Sequence, residues 1–382
     1  MSDHPVINWN EAGEERSARW RSESGTPPPR RVVIADDRMT ADAAYRLACE
    51  GTALLWRGDF QNARQLLQAM TRRANEKPRA RKSKKLPATP VEAFNLHRLA
   101  QSQRARTLGM LLIPFNAEHS IPLRRAPDVR AACTEAYGAG TEPYIASLRG
   151  LQGIIGAYEW RKNGVEIPAL GARIHPHYGV FAPIRNEYIG LVNEAPLPEL
   201  TASRSVAFDI GTGTGVLAAV LARRGIRHIV ATDQDQRALA CARENLTRLG
   251  LAAQVEAVQA DLFPEGRAAL VVCNPPWVPA RPSSPLEHAV FDPESRMLLG
   301  FLAGLAAHLE PGGEGWLILS DLAEHLGLRT RAELLAAVDT AGLEVLGKID
   351  VKPHHPRVSD TGDPLHAARA AELTSLWRLT AK

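Results

Sequence analysis

The 382-residue sequence contains few cysteines and no long apolar run. The four cysteines, Cys49, Cys133, Cys241 and Cys273, include no C-x-x-C pair, which argues against a disulfide framework or a zinc ribbon. No stretch reaches about 18 consecutive apolar residues, and the polar first residues lack the apolar segment of a signal peptide. The sequence therefore predicts a cytoplasmic protein with reduced thiols, no bound metal and no membrane-spanning helix.

The chain also has little excess charge, with 46 basic and 42 acidic residues. This balance permits an anionic partner without requiring one. The strongest local excess lies between Arg72 and Lys85, which holds eight basic residues and one acid. Such a run could contact phosphates, although it has no interleaved aromatic residues for base stacking. A solvated linker explains the run equally well.

Four segments differ in composition along the chain. Residues 1–38 are polar and include a proline-rich stretch, which predicts a flexible arm. Residues 39–150 show apolar side chains at helical spacing, which predicts a helical substrate-recognition domain. Residues 151–200 are rich in β-branched and aromatic residues between glycines and prolines, which predicts a β-hairpin connector. Residues 201–382 alternate strands and helices, as in a doubly wound α/β sheet covered on both faces.

A glycine-rich loop follows the first strand of this last segment, in the order Asp209-Ile210-Gly211-Thr212-Gly213-Thr214-Gly215. Glycines at alternating positions permit a tight turn and a close approach of a ligand to the backbone. Asp209, just before the glycines, could hold a cationic amino-acid group. The G-x-G-x-G spacing differs from the G-x-G-x-x-G of dinucleotide folds. We therefore expect S-adenosylmethionine rather than NAD.

Two further carboxylates follow the next two strands. Asp233 ends the strand HIVATD, where an acid can accept hydrogen bonds from both hydroxyls of a ribose. Asp261, with Leu262 and Phe263, follows the third strand, where a carboxylate and a flat apolar side chain can hold an adenine ring. The order of the three sites along the chain strengthens the expectation of an adenosine-containing cofactor.

The tetrapeptide Asn274-Pro275-Pro276-Trp277 follows the fourth strand, AALVVC, and is expected at the carboxyl edge of the sheet. Two consecutive prolines fix φ and lack N–H groups, so the backbone carbonyls form a stiff array of acceptors. If the Asn274 side-chain oxygen and the Pro275 carbonyl each accept one N–H, a planar NH2 nitrogen is oriented for methyl transfer. Trp277 could stack on the flat group that carries this nitrogen.

Taken together, DIGTGTG, ATD, ADLF and NPPW resemble the class I S-adenosylmethionine-dependent N-methyltransferases that carry a "methyltransferase small" domain. This class includes release-factor glutamine, ribosomal RNA guanine-N2 and adenine-amino methyltransferases. The resemblance covers about residues 170–382 and implies a seven-stranded Rossmann-like sheet. One departure is Trp277, because the glutamine-methylating members usually have tyrosine there. A helical N-terminal domain with a β connector is similar to those glutamine enzymes.

The resemblance also implies the roles of individual residues. The catalytic positions are Asn274, Pro275, Pro276 and Trp277. The cofactor-binding positions are Asp209, Gly211, Thr212, Gly213, Gly215, Asp233, Gln234, Asp261, Leu262 and Asn274. The weaker candidates for contact with the substrate are Tyr178, Phe181, Arg185 and Asp292.

The methyl acceptor stays open between classes of molecule. Architecture favours a glutamine side chain of a protein, such as a translation factor, whereas the basic run favours a base amine of RNA or DNA. A third possibility is an inactive methyltransferase fold that only binds nucleic acid. The intact glycine loop, Asp233 and the NPPW tetrapeptide argue against that possibility.

Overall fold

The computed structural model describes residues 4–76, 87–199, 206–282, 287, 289–354 and 360–382. It divides into two compact units. Unit 1 comprises Met1–Leu86 and Leu96–Glu159, and unit 2 comprises Pro87–Asn95 and Trp160–Lys382. Since the longer segment of unit 2 begins at Trp160, the predicted boundaries at residues 150 and 200 do not coincide with this division.

Unit 1 is built on a six-stranded sheet in the order β1-β2-β6-β5-β4-β3. Its strands are β1 Val6–Glu11, β2 Glu14–Trp20, β3 Arg31–Ala35, β4 Thr52–Trp56, β5 Leu111–Phe115 and β6 Tyr144–Ser147. β3, β4 and β5 are parallel neighbours, whereas β6 is antiparallel to β5 and β1 is antiparallel to β2. The helices in this part of the chain are α1 Ala41–Cys49, α2 Phe60–Asn75, α3 Pro90–Leu108, α4 Arg130–Tyr137 and α5 Leu148–Asn163.

The predicted helical domain at 39–150 is therefore wrong in class. Within this range, Thr52–Trp56 is a strand with all five residues buried. Leu111–Phe115 is buried in the same way in β5. A short run of apolar residues fits a buried strand and a buried helix equally well, so periodicity could not distinguish them.

The predicted flexible arm at 1–38 is also corrected. Val6–Glu11 and Glu14–Trp20 form an antiparallel hairpin, with Glu11 opposite Glu14. Its two turn residues, Ala12 and Gly13, both have positive φ, at 57° and 86°, as a tight two-residue hairpin turn requires. The hairpin is mostly exposed, so its polar composition concealed it.

The predicted β connector at 151–200 is correct only in its centre. Residues Leu148–Asn163 form helix α5, and the hairpin is limited to β7 Val165–Ile167 and β8 Ala172–Ile174. Helix α6, Glu187–Glu194, follows. The glycines and aromatic residues of α5 obscured its helical pattern in the sequence.

Unit 2 carries a seven-stranded sheet in the order β11-β10-β9-β12-β13-β15-β14, which confirms the predicted doubly wound α/β class. The first five strands in chain order are parallel to one another, and β15 is antiparallel to both β13 and β14. The strands are β9 Val206–Ile210, β10 His228–Asp233, β11 Val255–Gln259, β12 Ala268–Cys273, β13 Leu309–Ser320, β14 Leu343–Val351 and β15 Thr374–Ala381.

Helices connect these strands and cover both faces of the sheet. They are α7 Val216–Arg223, α8 Gln236–Arg248, α9 Arg296–His308, α10 Leu322–His325, α11 Arg331–Thr340 and α12 His366–Ala371. One apolar core lies against α7, where seven of eight residues are buried, and a second core lies against α9. The sequence predicted most of these elements, because each alternates a short apolar strand with an amphipathic helix.

Candidate active site

The predicted site residues converge where the strand order of unit 2 reverses. From β9 the chain moves outward to β10 and β11, and then returns to the other side of β9 with β12. Such a reversal opens a crevice at the carboxyl ends of the strands. In the register, Ile210 pairs with Cys273, so the glycine loop and Asn274 begin side by side.

The glycine loop adopts backbone conformations that favour glycine. Gly211, Gly213 and Gly215 have φ values of 72°, 55° and 79°. A Cβ on Gly211 would lie 2.5 Å from the terminal methyl of Met297, and one on Gly215 would lie 3.2 Å from Ala242. The first and third glycines are therefore required for packing as well as for the turn.

Asp209 is buried and fastens the loop from within. Its Oδ2 accepts hydrogen bonds from the Thr212 hydroxyl at 2.6 Å and from the Ala218 N–H at 3.1 Å. Burial raises the pKa of this carboxyl to about 6, and no cation among the described side chains pairs with it. Asp209 thus lies where the sequence predicted it, but one of its oxygens is committed to ordering the loop.

Asp233 ties the end of β10 to the same loop. Its Oδ2 accepts from the Gly213 N–H at 3.0 Å, and its Oδ1 accepts from the Asp235 N–H at 3.0 Å. Burial raises the pKa of this carboxyl too. Each carboxylate oxygen retains capacity to accept another hydrogen bond. Gln234, the next predicted residue, is exposed.

The segment Asp261–Phe263 follows β11 and has one exposed and two half-buried residues. Asp261 is exposed and lies 3.5 Å from Arg296. Leu262 is half-buried with φ of 77°, and its carbonyl accepts from the Thr232 hydroxyl at 2.5 Å. Phe263 stacks on His308 at 4.3 Å between centroids, and both Leu262 and Phe263 are half-buried against the core.

The four residues of the NPPW tetrapeptide occupy the mouth of the crevice. Asn274 and Trp277 are half-buried, and Pro275 is buried. The Trp277 Nε1–H donates to Asn274 Oδ1 at 2.9 Å. No donor among the described residues reaches the Pro275 carbonyl. The tetrapeptide thus offers two acceptors, Asn274 Oδ1 and the Pro275 carbonyl. The Trp277 indole already orients the first of them.

The weaker substrate candidates have different environments. Phe181 is 37% exposed, and Arg185 is half-buried. Tyr178 is buried, with the Arg237 guanidinium 5.7 Å from the centre of its ring. Asp292 is 6% exposed, and its Oδ2 accepts from the N–H groups of Met297 and Leu298. Its carboxylate therefore caps the first turn of α9, and a contact with substrate stays a prediction.

Nearby histidines are engaged with protein partners. His175 Nδ1 lies 2.6 Å from the Arg161 carbonyl oxygen, and His177 Nε2 lies 2.8 Å from Glu244 Oε2. Within the ranges that the structure describes, no group of three or more His, Cys, Asp or Glu side chains could hold a metal ion. The described helices also include none with the length and hydropathy of a membrane span.

Helix α9 supplies parts of the crevice that sequence reasoning missed. Met297 lies against Gly211, and the absence of side chains at Gly300 and Gly304 admits Leu262 and Phe263. A Cβ at Gly300 would lie 2.7 Å from Leu262, and one at Gly304 would lie 2.5 Å from Phe263. The spacing of the two glycines, four residues apart in a helix, was the available indication.

Comparison with known families bears directly on this geometry. The segment 173–331 matches the family model of the methyltransferase small domain. Residues 173–331 form a methyltransferase small domain. The match covers every predicted catalytic and cofactor-binding position, and it confirms the predicted methyltransferase family and cofactor class for this domain.

Two curated relatives align with parts of the chain. A release factor glutamine methyltransferase of Cereibacter sphaeroides is 36% identical over 186 residues, covering 44% of this chain and 62% of that protein. A ribosomal protein L11 methyltransferase of Pelotomaculum thermopropionicum is 48% identical over 69 residues, covering 18% and 22%. The chain thus spans about three fifths of the length of the first relative and about one fifth of the second.

Solved structures overlap with about half of the chain or slightly more. A methyltransferase from Pyrococcus furiosus superposes with a TM-score of 0.37 at 20% identity, covering 60% of this chain and 98% of that one. A ribosomal protein L11 methylase from Lactobacillus delbrueckii superposes with a TM-score of 0.36 at 16% identity, covering 53% and 83%.

Proposed function

We propose that this protein transfers a methyl group from S-adenosylmethionine to a planar NH2 nitrogen, which releases S-adenosylhomocysteine and, after the transfer, one proton from the nitrogen to solvent. The observation that carries the proposal is the placement of Asn274 and Pro275 beside the glycine loop, with Cys273 paired to Ile210 across neighbouring strands. A methyl donor in the loop and an NH2 group at the tetrapeptide would then meet at one edge of the sheet.

The residues of the loop fit such a cofactor. The left-handed φ values of the three glycines produce a tight turn without side chains, and Asp233 has spare acceptor capacity for ribose hydroxyls. Asp209 is a buried carboxyl without a cation, so a cationic amino-acid group would stabilise its ionised form. Bound adenosylmethionine would supply an electrophilic methyl group on a sulfonium. Gln234, Asp261 and Leu262 would surround the adenosine.

The tetrapeptide supplies two fixed acceptors for the target. Asn274 Oδ1 has one lone pair beyond the bond from Trp277, and the Pro275 carbonyl has no described donor. If each accepts one N–H of the target, the nitrogen lone pair points out of the plane of the amide or base. The fixed acceptors favour that geometry without reorganisation, and no general base is needed before the transfer. The exposed part of Trp277 would stack on the flat group.

A glutamine side chain in a protein is the proposed acceptor. The support is the alignment with a release factor glutamine methyltransferase, which is 36% identical over 186 residues. The architecture of unit 1 no longer contributes, because the helical domain expected from that resemblance is a six-stranded α/β unit. The proposal therefore rests on unit 2 alone.

A base amine in RNA is the second candidate, and the charge of α3 favours it. Beyond Glu92 this helix has no acidic residue, but it carries His97, Arg98, Arg104 and Arg106. Burial and then the neighbouring Arg104 lower the pKa of Arg149 in the same unit, which indicates a local excess of positive charge. Positive surfaces of this kind bind phosphates. Residues 77–85 of the basic run lie outside the described residues.

Transfer of labelled methyl from adenosylmethionine to fractionated lysate separates these candidates. The full chain is incubated with lysate, and portions are then digested with protease, ribonuclease or deoxyribonuclease. We expect label in protein that protease removes and that appears as N-methylglutamine after enzymatic digestion. Label removed by ribonuclease would replace the protein acceptor with RNA. Equal labelling by the Asn274→Ala variant would contradict the proposed chemistry itself.

A further inference from the structure

Trp277 is the hydrogen-bond partner that the structure gives to the Asn274 side chain. Its Nε1 lies 2.9 Å from Asn274 Oδ1, and Asn274 has no other partner among the residues that are described. The two groups are three residues apart in a segment stiffened by Pro275 and Pro276. Because the prolines hold the intervening backbone, the indole and the amide form a unit of fixed geometry.

The indole can distinguish the two ends of the amide. An asparagine side chain has an oxygen acceptor at one end and an NH2 donor at the other, in nearly the same shape. An indole N–H only donates, so it stabilises the orientation in which it meets the oxygen. After rotation by 180°, two donors would face each other and the bond would be lost. The contact therefore favours one of two nearly isosteric orientations.

We infer that Trp277 is a positioning residue that sets the acceptor orientation of Asn274 and thereby selects an N–H donor as the target. This inference rests on the proposed function and goes beyond it. With Oδ1 oriented, the remaining lone pair and the Pro275 carbonyl form a pair of acceptors. With the amide reversed, Nδ2 would present N–H groups to the target NH2 and oppose its binding.

Packing holds the indole in the position that this role requires. Trp277 is half-buried and contacts apolar clusters on both faces of the unit 2 sheet. It also packs against a third cluster that contains Phe94 and Val278, which are 5% and 3% exposed. An anchored indole cannot follow a rotating amide, so its N–H acts as a fixed reference.

A suitable test removes the indole N–H of Trp277 and keeps the size of the ring. Replacing Trp277 by β-(3-benzothienyl)alanine, through site-specific incorporation, exchanges the indole N–H for sulfur and leaves ring size and packing nearly unchanged. The same replacement at Trp160, which is 46% exposed, is the matched control. Melting temperatures of both proteins establish that they fold.

Two readouts are measured on the full chain. In the 15N-labelled protein without cofactor, the Trp277 indole N–H is expected to exchange slowly with solvent, and Asn274→Ala is expected to speed that exchange. In the methyl-transfer assay with lysate protein, the sulfur replacement at Trp277 is expected to lower the rate about 5- to 10-fold, as for the loss of one neutral hydrogen bond. Its Kd for adenosylmethionine is expected to stay unchanged, and the Trp160 replacement is expected to match the wild type.

A double-mutant cycle completes the test. If Trp277 acts through Asn274, the sulfur replacement costs nothing further in the Asn274→Ala background. Full methyl transfer by the sulfur-substituted Trp277 protein would overturn the inference, and so would unchanged indole exchange in Asn274→Ala. Absence of methyl transfer by the wild type would refute the proposed function, and the exchange measurement would then decide the hydrogen bond separately.

Discussion

Units 1 and 2 each have a buried aspartate near the carboxyl end of a parallel strand, but the partners of the two carboxylates differ. In unit 1, Asp59 follows β4 with its side chain buried, and Arg125 and Arg124 donate to its Oδ2 at 2.6 and 3.0 Å. In unit 2, Asp209 is the penultimate residue of β9, and its donors are only a hydroxyl and a backbone N–H. The hydrogen bond from Arg125 holds the pKa of Asp59 down at about 2, whereas burial raises that of Asp209 to about 6.

In the proposed function, this contrast assigns the cationic ligand to unit 2. A buried carboxylate with its own cations is already stabilised and contributes to folding. A buried carboxylate without a cation destabilises the charged form, and a cationic ligand can relieve that cost. The strand ends of unit 1 are satisfied internally, whereas those of unit 2 are completed by a bound molecule in the proposed function.

The largest expected effect comes from removing the Asn274 side chain, one of the two acceptors proposed to bind the target nitrogen in unit 2. Asn274→Ala deletes one of two proposed acceptors, and we expect methyl transfer to fall about 100-fold or more, by analogy with loss of a preorganised hydrogen-bonding group. Asn116→Ala is the matched control, because Asn116 follows β5 in unit 1 and donates to Ser120 at 2.8 Å. Rates of labelled-methyl transfer check both variants, and equal losses would remove the distinction between the units.

The pH dependence of cofactor binding tests whether Asp209, which lacks the arginine partners of Asp59, binds the cationic group of the cofactor. Since the folded pKa of Asp209 is about 6, the carboxyl is ionised above that pH and protonated below it. A cationic ligand favours the ionised form, so affinity should rise as pH increases from 5 to 7 and then level off. Calorimetric titrations with adenosylmethionine across this range measure it. An identical slope in Asp209→Asn would assign the pH dependence to another group.

In unit 1, loss of the charge on Asp59 should lower the melting temperature of the protein. Asp59→Asn removes the charge that pairs with Arg124 and Arg125, and we expect the melting temperature to fall by about 4 °C or more at pH 7. The folded pKa is lowered from 3.8 to about 2, so this stabilisation is present above pH 4 and is lost as pH falls towards 2. Thermal melts of wild type and variant should therefore converge at low pH. A constant difference across this range would show that the charge is irrelevant.

The smallest expected effect concerns Leu262, the residue predicted to contact the adenine ring. Gly300→Ala places a Cβ 2.7 Å from the flexible end of Leu262, which can shift at small cost. We expect a two- to threefold weaker affinity for adenosylmethionine, corresponding to about half a kcal/mol, with little change in melting temperature. Titration calorimetry and thermal melts distinguish this result from general destabilisation, which would lower both the affinity for adenosylmethionine and the melting temperature.

The sequence predicted the strands and helices of unit 2 more accurately than those of unit 1. The strands before Gly211 and Asn274 are short apolar runs that end at glycine, proline or aspartate, so composition marked both their faces and their ends. In unit 1, Thr52–Trp56 carries no such marker and merges with neighbouring helical patterns. The hairpin at Val6–Trp20 is polar because most of it is exposed.

Side-chain partners could not be predicted from the sequence in either unit. The capping role of Asp292 depends on a helix that starts four residues later and folds back on its carboxylate. The contact between Met297 and Gly211 joins residues that are far apart in the chain. The bond between Trp277 and Asn274 is local, but its direction depends on how the indole packs between three clusters. These features arise from tertiary packing, which periodicity does not encode.

Calorimetric titration of three full-length proteins with adenosylmethionine tests the central claim most directly. At pH 7.5 the wild type should bind one molecule per chain, Asp59→Asn should bind equally well per folded molecule, and Asp209→Asn should bind about tenfold more weakly, a difference of about 1.4 kcal/mol. Absence of binding by the wild type, or equal affinity of Asp209→Asn and wild type, would contradict the assignment of the cofactor to the unpaired carboxylate of unit 2.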